Sequence, residues 1–160
     1  MKRLIVFNFL IFGLFACKKT NSESSCKYDA LPNSLILKIT KNGKVLDDSI
    51  LADCKLYYNE GLVKKYVNDF TFNNLEAQYK GRGLISSRRI GILSADYNIK
   101  TFYIEYAQSW PADTLSIDYL KPMPSNNCLY LQNAVNHNGV AAAVDSSFPF
   151  NSAVFIIAKP

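Results

Sequence analysis

From Leu31 onward the chain alternates apolar and polar residues in short runs broken by turn signals. A period of two puts successive side chains on opposite faces of a strand, so the pattern restricts the chain to β-rich folds. Residues 97 to 107 carry it most clearly, with Phe102, Ile104 and Tyr106 on one face and Tyr103 and Glu105 on the other. Leu35, Leu37 and Ile39 alternate with Ile36, Lys38 and Thr40. Asn42-Gly43 then supplies the positive φ angles of a tight hairpin, and the return begins at residues 44 to 46.

The same reading gives a long strand over residues 50 to 58, with Ala52, Cys54, Leu56 and Tyr58 on one side. Residues 62 to 67 come back as its partner across Asn59-Glu60-Gly61. Further strands are expected over residues 84 to 93, 113 to 120 and 128 to 135, the last followed by a second hairpin signal, Asn136-His137-Asn138-Gly139. Residues 153 to 158 are nearly all apolar, which suits a strand buried on both faces. A helix is expected only around residues 73 to 80, where Leu-Glu-Ala-Gln has fair propensity. Ten Tyr and ten Phe fit a β-rich chain. About eight strands at this spacing predict an all-β fold, an antiparallel two-sheet sandwich over residues 31–160.

The first sixteen residues are of a different kind. A cationic start, Met1-Lys2-Arg3, precedes an apolar run over residues 4 to 15 and a small residue, Ala16, which is the pattern of an export signal. The run falls short of the roughly 20 residues a membrane span needs. Leu14-Phe15-Ala16-Cys17 resembles the lipobox of bacterial lipoproteins: an aliphatic residue, a tolerant position, a small residue and then Cys. The resemblance implies that the Cys17 thiol is alkylated by diacylglycerol, that the signal is cut just before it, and that the freed amine is acylated with a fatty acid such as palmitate. Two or three acyl chains, at about 0.8 kcal/mol per buried methylene, make such an anchor stable. Residues 17–30 are then a lipidated Cys and a flexible linker, because Lys18, Lys19, Thr20, Asn21 and the serines that follow bury too little apolar area to order themselves.

The strand, Asn-Gly turn and Cys54-Lys55-Leu56-Tyr57 strand within residues 33 to 58 resemble the opening of immunoglobulin-like or transthyretin-like extracellular domains. Signal, stalk and β domain together resemble the small Gram-negative lipoproteins of unassigned role. That resemblance implies a place in the cell envelope, lipid-anchored to the outer membrane at its periplasmic or surface face, with the membrane as first partner.

Loss of Lys2 and Arg3 with the signal takes the formal net charge from +5 to +3. The remaining cations are scattered along the chain and form no band, so nucleic acid is not an expected partner. Of the four cysteines, Cys26, Cys54 and Cys128 follow Cys17, which allows at most one intramolecular bridge among them. Cys54 falls on an apolar strand face, whereas Cys26 and Cys128 sit in polar, loop-like sequence and are the expected disulfide pair. There is no Cys-x-x-Cys and no His pair, so no metal site is expected.

A catalytic set is also missing. His137 is the one histidine and lies in a hairpin tip, where it reads as a solvated turn residue. Ser147, His137 and Asp145 offer the side chains of a nucleophile triad, but in a local cluster without a Gly-x-Ser-x-Gly elbow. Asp113, Asp118 and Glu105 read as charges on the wet face of a sheet rather than as a glycosidase pair. Asp47, Asp48 and Asp53 lack the regular spacing of a calcium loop. No catalytic residue and no cofactor are therefore expected. Tyr57, Tyr97, Tyr103 and Trp110 remain as a candidate aromatic surface, a type that suits glycans or protein partners. The expectation is a non-enzymatic binding or scaffolding protein of the envelope. A glycan-binding module is the alternative, and a hydrolase or hydrolase inhibitor the third reading.

Overall fold

A computed structural model describes residues 34–72, 75, 77–123, 129–148 and 152–160. The signal segment, Cys17, the linker, Cys26 and Cys128 lie outside the described residues. The alternating run at the start becomes β1 (Leu35–Lys41), with Leu35, Leu37 and Ile39 buried on one face. Asn42 and Gly43, at φ 51° and 75°, turn it into β2 (Lys44–Val45) as the Asn-Gly signal predicts. The chain continues through α1 (Asp48–Ala52), β3 (Lys55–Glu60), β4 (Val63–Tyr66), a 3-10 turn (Ala77–Tyr79), β5 (Leu84–Ser87) and α2 (Arg89–Ala95). It ends with β6 (Thr101–Glu105), β7 (Asp113–Leu120), β8 (Leu131–His137), β9 (Val140–Ala141), β10 (Ala143–Val144) and β11 (Val154–Lys159).

These strands form an all-β two-sheet sandwich. The first sheet runs β10-β11-β1-β2, with β5 also on β1; the second runs β4-β3-β6-β7-β8-β9. Pairing is antiparallel except between β1 and β11, which run parallel from Ile36↔Val154 to Lys41↔Lys159. Because β11 occupies one edge of β1, β5 and β2 share the other edge end to end. Gly83 stands at their junction at φ +71°, and a Cβ there would come within 2.9 Å of the Ile39 carbonyl oxygen. Glycine is therefore required at that point both by backbone conformation and by space.

The core fills the gap between the sheets. Leu35, Leu37, Ile39, Ile85 and Ile157 from the first sheet meet Leu56, Phe102, Ile104, Leu115, Ile117 and Val135 from the second. Each such side chain, when fully buried, contributes about 1.5–3 kcal/mol. Leu51 of α1 and Ile90 and Leu93 of α2 belong to the same core. A second cluster of Ile36, Leu84 and Val154 lies on the outer face of the first sheet, with Leu75, Tyr79 and Phe148 packed against it. This double cover explains the near-continuous apolar run of β11.

Two expected strands are partly helical. Residues 50 to 58 divide into α1 and β3: the Asp47 carbonyl accepts the Ile50 and Leu51 N–H groups, and Asp48 places an acidic side chain in the first turn. The apolar alternation through Ile50, Ala52 and Cys54 concealed Leu51, which helical geometry buries. Residues 84 to 93 divide into β5 and α2. Asp69 causes the second change, accepting the Arg88 and Arg89 N–H groups at 2.8 and 2.9 Å and the Ser87 hydroxyl at 2.6 Å. The helix cap thus comes from about twenty residues upstream, where no local signal reveals it. Around residues 73 to 80, only the 3-10 turn is helical among the described residues.

Candidate functional site

The structure separates the four residues of the expected aromatic surface. Tyr57 of β3 and Tyr103 of β6 are cross-strand partners on the outer face of the second sheet, and their rings stack with centroids 5.1 Å apart. Tyr66 of β4 extends this row edge-on, 5.9 Å from Tyr57. Lys64 lies 4.3 Å from the Tyr57 ring centroid and bonds Glu105 at 2.8 Å, which raises the pKa of its own ammonium. Tyr57 is thereby buried between its neighbours, and the row works as sheet cement. Trp110 is elsewhere, 5.5 Å from Tyr106 and under Lys41 at 3.6 Å. Tyr97 is also apart, in the loop between α2 and β6, and is 70% exposed.

Of the three carboxylates assigned to a wet sheet face, Asp113 is the exception, because it shares inward parity with Leu115, Ile117 and Tyr119 and is only 3% exposed. It accepts the Tyr106 hydroxyl at 2.6 Å, Asn138 Nδ2 at 3.0 Å and Lys159 Nζ at 3.2 Å, and its Oδ1 lies 3.2 Å from His137 Nε2. Burial pushes this carboxyl up, but the bonds from Tyr106, Asn138, His137 and Lys159 outweigh it and hold it below the usual carboxylate range. Lys159 is anchored as well, donating to the Pro111 carbonyl at 2.7 Å. His137 is therefore no free turn residue. It belongs to a clamp that closes one end of the sandwich.

The other chemical candidates are engaged in local structure. Ser147 donates its hydroxyl to Asp145 at 2.6 Å, and Lys38 at 2.7 Å holds Asp145 down to about 2. His137 bonds Asp113, so the residues Ser147, His137 and Asp145 do not form a relay. Asp118 pairs with Lys100 and accepts Asn133, and Asp48 accepts the Gly81 N–H. Burial pushes the Cys54 thiol up to about 12, and it donates to the Ile50 carbonyl. A thiol of that kind is a poor nucleophile near neutral pH.

A concave site remains between the end of β3 and α2, with a volume of about 590 Å³. Its floor is apolar: Ile92 and Leu93 from α2 and Ile99 from the following loop. Tyr58, Asn59 and Glu60 line it from β3, Arg89 from the first turn of α2 and Tyr97 from the loop after that helix. Asn98 adopts φ 56° and the Ile99 N–H returns to the Leu93 carbonyl, which sets this loop against the helix. The Arg89 backbone is fixed by Asp69, while its guanidinium has no hydrogen-bond or ion-pair partner among the described residues. Volume, an apolar floor and a few polar groups are the usual attributes of a ligand site. Tyr97 is the one lining residue that belongs to the expected aromatic surface. Arg89, Ile92 and Leu93 are hidden in the sequence because α2 reads as a strand.

No protein family, no curated protein and no solved structure matches the chain, so its sandwich is characterised by its own topology.

Proposed function

We propose that this chain is an exported lipoprotein, lipid-anchored through Cys17, whose β-sandwich serves as a non-enzymatic binding module of the cell envelope. The observation that carries the reading is the agreement in position between the cationic start, the apolar run and Leu14-Phe15-Ala16-Cys17. The polar stretch that follows is the tether, and the outer membrane, at its periplasmic or surface face, is the site of attachment. Binding rather than catalysis is supported by the engagement of His137 with Asp113 and of Ser147 with Asp145, which occupies the groups a hydrolase of this composition would use.

Membrane fractionation with mass spectrometry of the N-terminal peptide tests the proposal. The expected result is a diacylated Cys17 as first residue, and a Cys17→Ala variant recovered outside the membrane fraction. A native protein that is soluble and keeps its first sixteen residues would overturn it.

A further inference from the structure

We infer that the groove between β3 and α2 takes a sugar unit carrying a carboxylate, as in acidic envelope glycans. This rests on the reading of the domain as a binding module and names its ligand class. The groove is lined by apolar Ile92, Leu93 and Ile99 and by two tyrosines, Tyr58 and Tyr97. A pyranose is amphipathic in the same way: its C–H face packs on aromatic and aliphatic surface, while its hydroxyls point outward in the plane of the ring. Asn59 adds to the lining an amide, with one acceptor and two donors, that can bond such hydroxyls.

Charge sets the class of sugar. Glu60, the one acid of the lining, is already offset by Lys65 at 3.5 Å, so Arg89 is the uncompensated charge of the site. A guanidinium fork matches a carboxylate in a bidentate manner, which a neutral hydroxyl cannot reproduce. One groove lined by aliphatic and aromatic side chains fits one ring-shaped unit better than an extended peptide, which presents alternate side chains to successive pockets.

The test titrates the full-length lipoprotein in detergent micelles with trigalacturonate, with galactotriose as the neutral control and a tri-glutamate peptide as the acidic non-sugar. The expected result is saturable binding of trigalacturonate alone. Arg89→Gln should weaken it about tenfold or more, as for loss of a hydrogen-bonded charge partner. Tyr97→Ala should weaken it too, and Trp110→Ala, remote from the groove, should leave it unchanged. Arg89 and Tyr97 are exposed, so both variants keep the core intact. Equal binding of galactotriose, preference for the peptide, absence of sugar binding, or an unaffected Arg89→Gln would each overturn the inference. None of these outcomes decides the membrane anchor, which the Cys17→Ala fractionation reads separately.

Discussion

Lys159 Nζ lies 3.2 Å from Asp113 Oδ2 with both side chains about 95% buried, an ion pair that ties β11 of one sheet to β7 of the other across the end of the core. Neither charge has much access to water, so each depends on the other and on the neutral donors around them. Lys159→Met should therefore destabilise the domain by about 3–5 kcal/mol, because it leaves a buried carboxylate without its cation. Adding Asp113→Asn to that variant should recover much of the loss. Urea unfolding of the two variants checks this, and a Lys159→Met cost below about 1 kcal/mol would show that the pair is not a support.

The same carboxyl gives the domain an acid limit. Its folded pKa lies below the ordinary 3.8, so the unfolded chain takes up the proton more readily. Its contribution is fully present above about pH 4 and is lost as the pH falls through the lower, folded value. The slope of stability against pH below 4 should therefore flatten in Asp113→Asn. Asp118, lowered mainly by Lys100, is about one-third exposed and screened, so Asp118→Asn should change the slope little. Denaturation midpoints between pH 2 and 5 compare the two variants.

Ser94 continues a strand edge that β6 leaves unfinished. The Lys100 carbonyl still accepts the Ile117 N–H, but beyond that point the Ser94 hydroxyl donates to the Ile117 carbonyl and accepts the Tyr119 N–H, both at 3.0 Å. The serine has no exposed surface, and β7 carries an irregularity beside it, between Asp118 and Tyr119. Ser94→Ala should remove both of these buried bonds, at about 1–3 kcal/mol for each. Amide hydrogen exchange at Tyr119 should accelerate in this variant more than at Leu115. Equal rates at Tyr119 in the parent and the variant would contradict this role.

Much of the second sheet can be read in the order of residues. Asp113 to Leu120 alternates without fault, and the Asn42-Gly43 turn forms where it is expected. Helix α2 could not be read, because Ile90 and Ile92 alternate as in a strand and the helix's cap, Asp69, is supplied by the tertiary fold. The groove was lost with that helix, since Arg89, Ile92 and Leu93 line it only from helical positions. Asp113 and Lys159 show the converse case. Both share parity with inward apolar neighbours, yet a charge at such a position reads as solvent-facing, and the sequence gives no sign of a partner on another sheet.

Gly83 is constrained twice and Gly81 once, which allows the two effects to be separated. Both have positive φ, +71° and +73°, so alanine at either pays the left-handed backbone cost of about 1–2 kcal/mol. Around Gly81 nothing lies within 4 Å of an added Cβ, whereas at Gly83 the Ile39 carbonyl oxygen would be 2.9 Å away and Val45 Cβ 3.1 Å. Those contacts are the backbone and side chain of the β1–β2 hairpin and cannot withdraw without opening the junction at which β5 gives way to β2. Gly83→Ala should therefore be more destabilising than Gly81→Ala, with faster amide exchange at Leu46, whose N–H bonds the same Ile39 carbonyl. Equal thermal midpoints for the two variants would mean that the junction yields at no cost and that backbone conformation alone selects glycine at residue 83.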